Sequence, residues 1–348
     1  MKRKTDLLTI NNCPSFYKIN LYNELNKHCS LHVVFIGLSD QVVIDENFKH
    51  TIQFSYELIN DIQIENRSKL NTLLQLVKAL FTYNATKIIY GGYVEIESVL
   101  MMFLTSKKKN CLQFESSIKE SKVTGKAALI KKFLFSRFSI VLPSGKLQAD
   151  VFRSLNYKGK IIETTGVGLM NKADNKEFTT RDPQIFKYVY VGRLIALKNL
   201  SQLIRVFNQN GKSLTIVGTG VLEEELKSMA KENISFVGFI PNGNLSEVYR
   251  NHDVFVLPSF SETWGLVVEE AVYYGLPVLV SEYVGSQFDM VEKPNTGLIF
   301  SPDSDASLQN AIDVIERDYS FYRSNCLNFD FENQNQIQIQ AYLKTLSL

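Results

Sequence analysis

Short apolar runs alternate with amphipathic segments along almost the whole chain, and this alternation constrains the fold more than any other feature. In the first half the runs read DLLTI, LHVVFIG, KIIYGG, CLQF, SIVLPS and KIIETTG, separated by segments that include SFYKINLYNELNKH, SKLNTLLQLVKALF and KAALIKKFLFSRF. The second half restarts with KYVYVG, LTIVG, ISFVGF, DVFVLP, PVLVS and GLIF, interleaved with LSQLIRVFNQN, VLEEELKSMAKE and LSEVYRN. Apolar runs this short read as buried strands, and the longer amphipathic segments as helices. Two series of βαβ units predict two doubly wound α/β domains with mostly parallel sheets. The polar stretch NKADNKEFTTRDP (171–183) reads as a linker, so domains are expected at 1–180 and 181–330. Ligands of such sheets bind beyond the carboxyl ends of strands, and two facing domains would make a cleft between them.

Composition fits this reading. A chain of 348 residues, 45% hydrophobic and 21% charged, is long enough for two separate cores. Cys13, Cys29, Cys111 and Cys326 form no CxxC pair, which argues against a disulfide framework or zinc site and for a reducing compartment. The start, MKRKTDLLTINN, breaks at Asp6 and Asn11 before a signal-peptide core develops. No apolar run approaches the ~18 residues of a membrane span. A cytoplasmic protein is expected.

The net charge of +2 hides an asymmetry. Residues 1–180 hold 25 Lys/Arg against 16 Asp/Glu, or +9, and the remainder 13 against 20, or −7. Segment 107–137 carries nine basic residues against Glu115 and Glu120. Such a patch suits an anionic phospholipid surface or nucleic acid; the alternative is a solvated lysine-rich face. Its helix KAALIKKFLFSRF is only roughly amphipathic, because Lys126 and Arg137 interrupt the apolar arc.

Four strand ends in the second half are candidate sites. In YVGRLIALKN (190–199), Gly192 ends a strand, and Arg193 and Lys198 would clamp phosphates unless they are plain surface residues. IVGTGVLEEEL (216–226), with Gly218, resembles a dinucleotide fingerprint, but Glu223 takes the third glycine's place and a tight strand-to-helix turn explains it equally. FVGFIPNGN (236–244) is a turn whose backbone would contact a base, or an ordinary loop. SETWGLVVEEAVYYGLPVLV (261–280) packs three carboxylates and the only Trp around a helix start. At about 100° per residue, Thr263, Leu266, Val267, Glu270, Tyr273 and Tyr274 share one face, read as the buried one. Glu270 falls in the middle of that stripe, where a charge is costly unless paired. Glu269 falls to its edge and reads as a surface carboxylate. Backbone N–H groups at Trp264, Gly265 and Leu266 would form a phosphate site.

PSFSETWGLVVEEAVYYGLPVLVS resembles the signature of family 4 glycosyltransferases, with a Glu-x7-Glu motif inside a PS-x3-E-x-x-G-L frame. YVGRLIALKNL, IVGTG and FVGFIPN resemble its other donor-domain blocks, in the right order. The resemblance is dense over roughly 186–300. It is thinner in the first half, where CPSFYKINLYNEL, IIYGGY and LQFES resemble acceptor domains of bacterial surface-polysaccharide members. The resemblance implies a GT-B fold of two facing Rossmann-like domains, the first for acceptor and the second for nucleotide-sugar donor, with 331–348 as a helix crossing back to the first. It implies a retaining, metal-independent transferase in capsule or lipopolysaccharide synthesis. The acceptor would be a glycan or lipid-linked glycan, with peripheral contact at the cytoplasmic face of the inner membrane. By the same resemblance Glu270 would bind the ribose and Glu262 the donor-sugar hydroxyls. Backbone at Trp264, Gly265, Leu266 and Val267 would hold phosphate or sugar oxygens, backbone near Ile240 would read the base, and Arg193 and Lys198 would neutralise the diphosphate.

The chain departs from many members in its first loop, NNCPSFYK, which is not glycine-rich, and in its histidines. None of His28, His32, His50 and His252 sits at a matching strand end, so no catalytic base is assigned. Glu115, at the end of CLQFES, is the acceptor-side candidate, or else a strand-end surface Glu. The one Asp-x-Asp spacing, DSD at 303–305, is better explained by Asp305 as a helix cap or first-turn charge than as a metal site. Competing readings are a GT-B nucleotide-sugar 2-epimerase and a catalytically inactive nucleotide-sugar-binding partner subunit. The basic patch lacks a nucleic-acid recognition motif.

Overall fold

The apolar runs form strands because their β-branched and aromatic side chains suit a sheet covered on both faces. The computed structural model describes residues 2–39, 48–170 and 183–348. The expected linker 171–183 therefore lies, but for its last residue, outside the described residues. The chain divides into two units, Met1–Asn171 with Glu332–Leu348, and Lys172–Phe331.

The first unit holds β1 (Arg3–Asn11), β2 (Leu31–Phe35), β3 (Ser55–Leu58), β4 (Tyr83–Tyr90), β5 (Asn110–Phe114), β6 (Ile140–Pro143) and β7 (Lys160–Ile161), in the order β3-β2-β1-β4-β5-β6-β7. All its pairings are parallel. Strand β3, SYEL, is missing from the sequence reading because it is a half-buried piece without an apolar run. Helices cover both faces. On one, the helices Lys69–Thr82, Ile96–Leu104 and Gly125–Phe135 bury Leu76, Met101 and Phe135 against Leu8, Ile88 and Leu112. On the other, the helix Phe16–Asn26 and the C-terminal helix Phe331–Lys344 bury Tyr22, Ile339 and Tyr342 against Leu7, Val33 and Ile89. The C-terminal helix thus packs into the first unit's core, and Gln334 Nε2 donates to the Thr165 carbonyl at 2.7 Å.

The second unit holds β8 (Lys187–Val191), β9 (Ser213–Val217), β10 (Ile234–Gly238), β11 (Val254–Leu257), β12 (Val278–Ser281) and β13 (Gly297–Phe300), ordered β10-β9-β8-β11-β12-β13 and again parallel. Each sheet reverses direction of travel once, between β1 and β4 and between β8 and β11. In open parallel sheets, ligands bind at the carboxyl ends of the strands on either side of such a reversal.

Candidate functional site

At the reversal between β8 and β11, the loops 192–199 and 258–265 lie side by side. The Phe260 N–H donates to the Leu197 carbonyl at 2.8 Å. Lys198 closes a short 3-10 turn, and its ammonium pairs with the Glu262 carboxylate; both side chains are largely buried. Asn199 anchors the turn from behind at φ 51°, its Nδ2 donating to Gln202 Oε1 at 2.9 Å and to the Pro302 carbonyl at 3.1 Å. Glu262 is fixed through its backbone, whose carbonyl accepts from the Gly285 N–H at 2.8 Å. Arg193 is exposed on the same loop as Lys198, and its carbonyl accepts from the Tyr190 hydroxyl at 3.0 Å. Burial pushes the Tyr190 phenol well above its ordinary range, with Glu262 adding to the shift and Arg193 opposing it. The two candidate cations, after β8, and the first glutamate, after β11, therefore lie at the neighbouring carboxyl ends of two paired strands.

The helix Leu266–Tyr273 starts directly after this pair. Gly265 precedes it at φ +91°, in the region that favours glycine, and a Cβ there would press Glu262 Cγ at 3.2 Å. First-turn N–H groups such as those of Leu266 and Val267 have no acceptor within their own helix. The Val268 N–H is used locally, donating to the Gly265 carbonyl at 2.9 Å. Trp264 is 1% exposed, and its indole N–H donates to Glu269 Oε1 at 2.6 Å. Trp264 can offer a ligand only backbone.

Two sequence expectations fail here. Glu269 is not a surface carboxylate but 3% exposed, held by the Trp264 indole. The stripe read as buried is so only in part: Glu270 and Tyr273 are buried, but Thr263 is exposed and Leu266, Val267 and Tyr274 are half-buried, while Val268, Ala271 and Val272 off the stripe are fully enclosed. Apolar residues surround this helix, so periodicity alone could not say which face meets the sheet. Glu270 is 9% exposed on the more open side, and its Oε2 accepts from the Tyr249 hydroxyl at 2.8 Å. Tyr249 in turn stacks on Tyr274, ring centroids 5.4 Å apart. Burial pushes the Glu270 carboxyl up to about 7, with the Tyr249 hydrogen bond pulling the other way.

The glycines act on backbone spacing. A Cβ on Gly218, at φ +130°, would lie 2.0 Å from the Gly192 carbonyl oxygen, so the turns after β8 and β9 touch. The Gly218 N–H donates to the Gly238 carbonyl at 2.7 Å, linking the end of β10. Ile240 is half-buried in the loop that follows. Glu223, in the broken fingerprint, opens the helix Glu223–Met229 and pairs with Lys227 at 2.8 Å.

Glu115 lies in the first unit after β5. Its carboxylate pairs with the buried ammonium of Lys18 and accepts from Gln113 Nε2 at 3.1 Å. Lys18 escaped sequence reading, although a lysine inside the apolar helix SFYKIN is its signal; Tyr249 carried no such signal. Two histidines have structural partners. His32 stacks on Tyr83 and bonds Ser55 Oγ at 2.8 Å, and burial drives it down to about 4. His252 bonds Thr215 Oγ1 at 2.8 Å. In the DSD segment Ser304 caps the helix Asp305–Arg317, while Asp305 pairs with Arg205 at 2.9 Å.

Residues 171–328 match the family described as "Glycosyl transferases group 1". Among curated proteins, the chain is 29% identical over 142 residues to the glycosyltransferase MJ1607 of Methanocaldococcus jannaschii, covering 38% of this chain and 36% of that protein. It is 27% identical over 195 residues to the amylovoran biosynthesis glycosyltransferase AmsK of Erwinia amylovora, covering 51% and 47%. The chain thus spans about a third to a half of the length of the curated relatives it matches. Among solved structures, Anabaena HepE in complex with UDP and glucose superposes with a TM-score of 0.70 at 15% identity, over 99% of this chain and 100% of that one. The fold is the two-domain α/β fold of GT-B glycosyltransferases.

Proposed function

We propose that this chain is a retaining glycosyltransferase that moves a sugar from a nucleotide-diphosphate sugar to a glycan or lipid-linked acceptor in bacterial surface-polysaccharide synthesis, without a metal cofactor. The observation that carries this reading is the pairing of Lys198 with Glu262 at the β8/β11 reversal, directly before the first turn of the helix that carries Glu270. The second unit is the donor side in this reading and the first unit the acceptor side. The match of 171–328 to a glycosyltransferase family and the relative named for amylovoran biosynthesis support it.

The chemistry follows from charge. Breaking the sugar–phosphate bond develops negative charge on the departing nucleoside diphosphate, which preorganised donors must meet. Arg193, Lys198 and the helix N-terminus offer two full cations and a partial positive charge in one region. Before donor binds, Glu262 holds Lys198. A diphosphate competes for that ammonium, which frees the Glu262 carboxylate to accept from sugar hydroxyls. Glu270, rich in burial and poor in partners, accepts from the ribose. Backbone near Ile240 lies after a neighbouring strand end and takes the base.

The test is to incubate the purified chain with UDP-glucose, GDP-mannose and related donors, with and without candidate glycan acceptors, in excess chelator. Acceptor-dependent release of nucleoside diphosphate, with a product of unchanged anomeric configuration by NMR, is the expected result. A new nucleotide sugar formed from donor alone would instead identify an epimerase.

A further inference from the structure

Three successive helices on one face of the first sheet turn large apolar side chains toward solvent. In the helix Ile96–Leu104 the outward positions are Ile96, Leu100, Phe103 and Leu104, spaced for one helical face and each at least 40% exposed. In Gly125–Phe135 they are Leu129, Ile130 and Phe133, each above 60%. The Phe103 and Phe133 rings stack with centroids 5.5 Å apart, so the two stripes are one surface. The helix Lys69–Thr82 packs beside Ile96–Leu104 and exposes Leu70 and Leu74. Soluble proteins scatter exposed apolar residues singly, whereas a stripe repeated on neighbouring helices marks a surface that something covers.

The charges say what covers it. Lys107, Lys108, Lys126 and Lys132 are exposed on these helices or just beyond them, and none is in an ion pair among the described residues. The only acid in the three helices is Glu97, whose buried carboxylate accepts from Arg67 Nε at 2.9 Å. Arg137 lies over the Phe103 ring at 5.2 Å. An apolar face bordered by free ammonium groups, with no exposed carboxylate of its own, complements acyl chains beneath anionic headgroups. A second copy of the chain would instead set like charges against each other.

We propose that this face docks on an anionic bilayer, with Leu100, Phe103, Leu104, Leu129, Ile130 and Phe133 entering the boundary between headgroups and acyl chains and the lysines resting at the phosphates. The inference deepens the reading of a lipid-linked acceptor and rests on it for what the membrane supplies. It also changes the charge-only expectation for segment 107–137, since its helix turns Ala128, Leu134 and Phe135 into the core but points a second apolar arc, Leu129, Ile130 and Phe133, outward.

The test is co-sedimentation of the full chain with vesicles of phosphatidylcholine alone or mixed with phosphatidylglycerol. Binding to the anionic vesicles is expected. The variant Phe103→Ser/Phe133→Ser should lower it by at least ~10-fold with an unchanged melting temperature, because both burial and charge are needed for stable interfacial binding. Lys126→Gln/Lys132→Gln, which leaves packing alone, should remove most of the preference for anionic lipid. The indole introduced by Phe133→Trp should be quenched by brominated acyl chains, while Trp264, being buried, is not. Wild-type binding by the serine variant, or no quenching at that indole, overturns the proposal. So does lipid-free dimerisation that the serine substitutions abolish while vesicle binding persists. Sugar transfer to a water-soluble acceptor is measured in parallel, so a failed transferase reading is visible as lost transfer with vesicle binding intact.

Discussion

The Tyr249 hydroxyl donates a 2.8 Å hydrogen bond to Glu270, and among the described residues no cation pairs with that carboxylate. One neutral donor does not offset burial, which is why the carboxyl is pushed from 4.5 up to about 7.

This has two consequences with definite signs. The folded-state value lies above the unfolded one, so the contribution of Glu270 to stability is fully present below about 4.5 and is lost as pH rises to about 7. Glu270→Gln should therefore be more stable than the wild type at pH 8 by about 1–3 kcal/mol, and the gain should vanish near pH 4. Urea denaturation at the two pH values checks this. A ligand whose hydroxyls donate to Glu270 favours the ionised form, so UDP-glucose should bind more tightly at pH 8 than at pH 6 and release a proton between them. Calorimetry in buffers of different ionisation enthalpy reads that proton; an affinity flat across this range counts against ribose binding at Glu270. Glu270→Gln should weaken binding at pH 8 by about 1–3 kcal/mol, the scale of a hydrogen bond to a charged group.

Lys198 and Glu262 hold each other where the donor would sit. Lys198→Ala and Arg193→Ala should each cut the transfer rate at least ~100-fold with the fold intact, the scale for one preorganised electrostatic donor. Rates in excess chelator should equal those without it. Restoration of a chelator-treated enzyme by magnesium or manganese would show that a metal, rather than these cations, meets the leaving group.

The Trp264–Glu269 hydrogen bond is structural rather than ligand-facing. Glu269→Ala strands a buried indole N–H and should cost about 1–3 kcal/mol of stability, whereas Glu269→Gln keeps an acceptor and costs less. Trp264 is the only tryptophan, so its emission spectrum reports the site directly. A destabilised Glu269→Ala with an unaltered emission maximum contradicts this account.

Gly218 holds the turns after β8 and β9 in contact. Gly218→Ala places a methyl against the Gly192 carbonyl at a backbone angle alanine avoids, so the loop carrying Arg193 and Lys198 must move. We expect a stability loss of about 1–3 kcal/mol together with weakened donor binding. Wild-type affinity for UDP-glucose in a folded Gly218→Ala protein would show that the loop tolerates the shift.

Strands such as KYVYVG and DVFVLP were readable from sequence because burial on both sheet faces demands unbroken apolar runs, and that demand is local. The same holds for Lys198, Glu262 and Glu270 as strand-end or helix-start candidates. Strand β3 was not readable, since SYEL carries no apolar run and exists only because β2 offers it an edge. What tertiary structure alone decided is which residues meet. Lys198 and Glu262 are 64 positions apart and pair because β8 and β11 are neighbours. Tyr249 reaches Glu270 across 21 positions, and Lys18 reaches Glu115 across 97. On the helix Leu266–Tyr273, apolar residues on several sides left the pattern ambiguous, so Glu269, read as a surface carboxylate, is buried alongside Glu270 once the sheet fixes which face is enclosed. On Gly125–Phe135 the same ambiguity concealed an apolar face turned toward solvent. Periodicity records that a side chain is apolar, but only packing decides what it lies against.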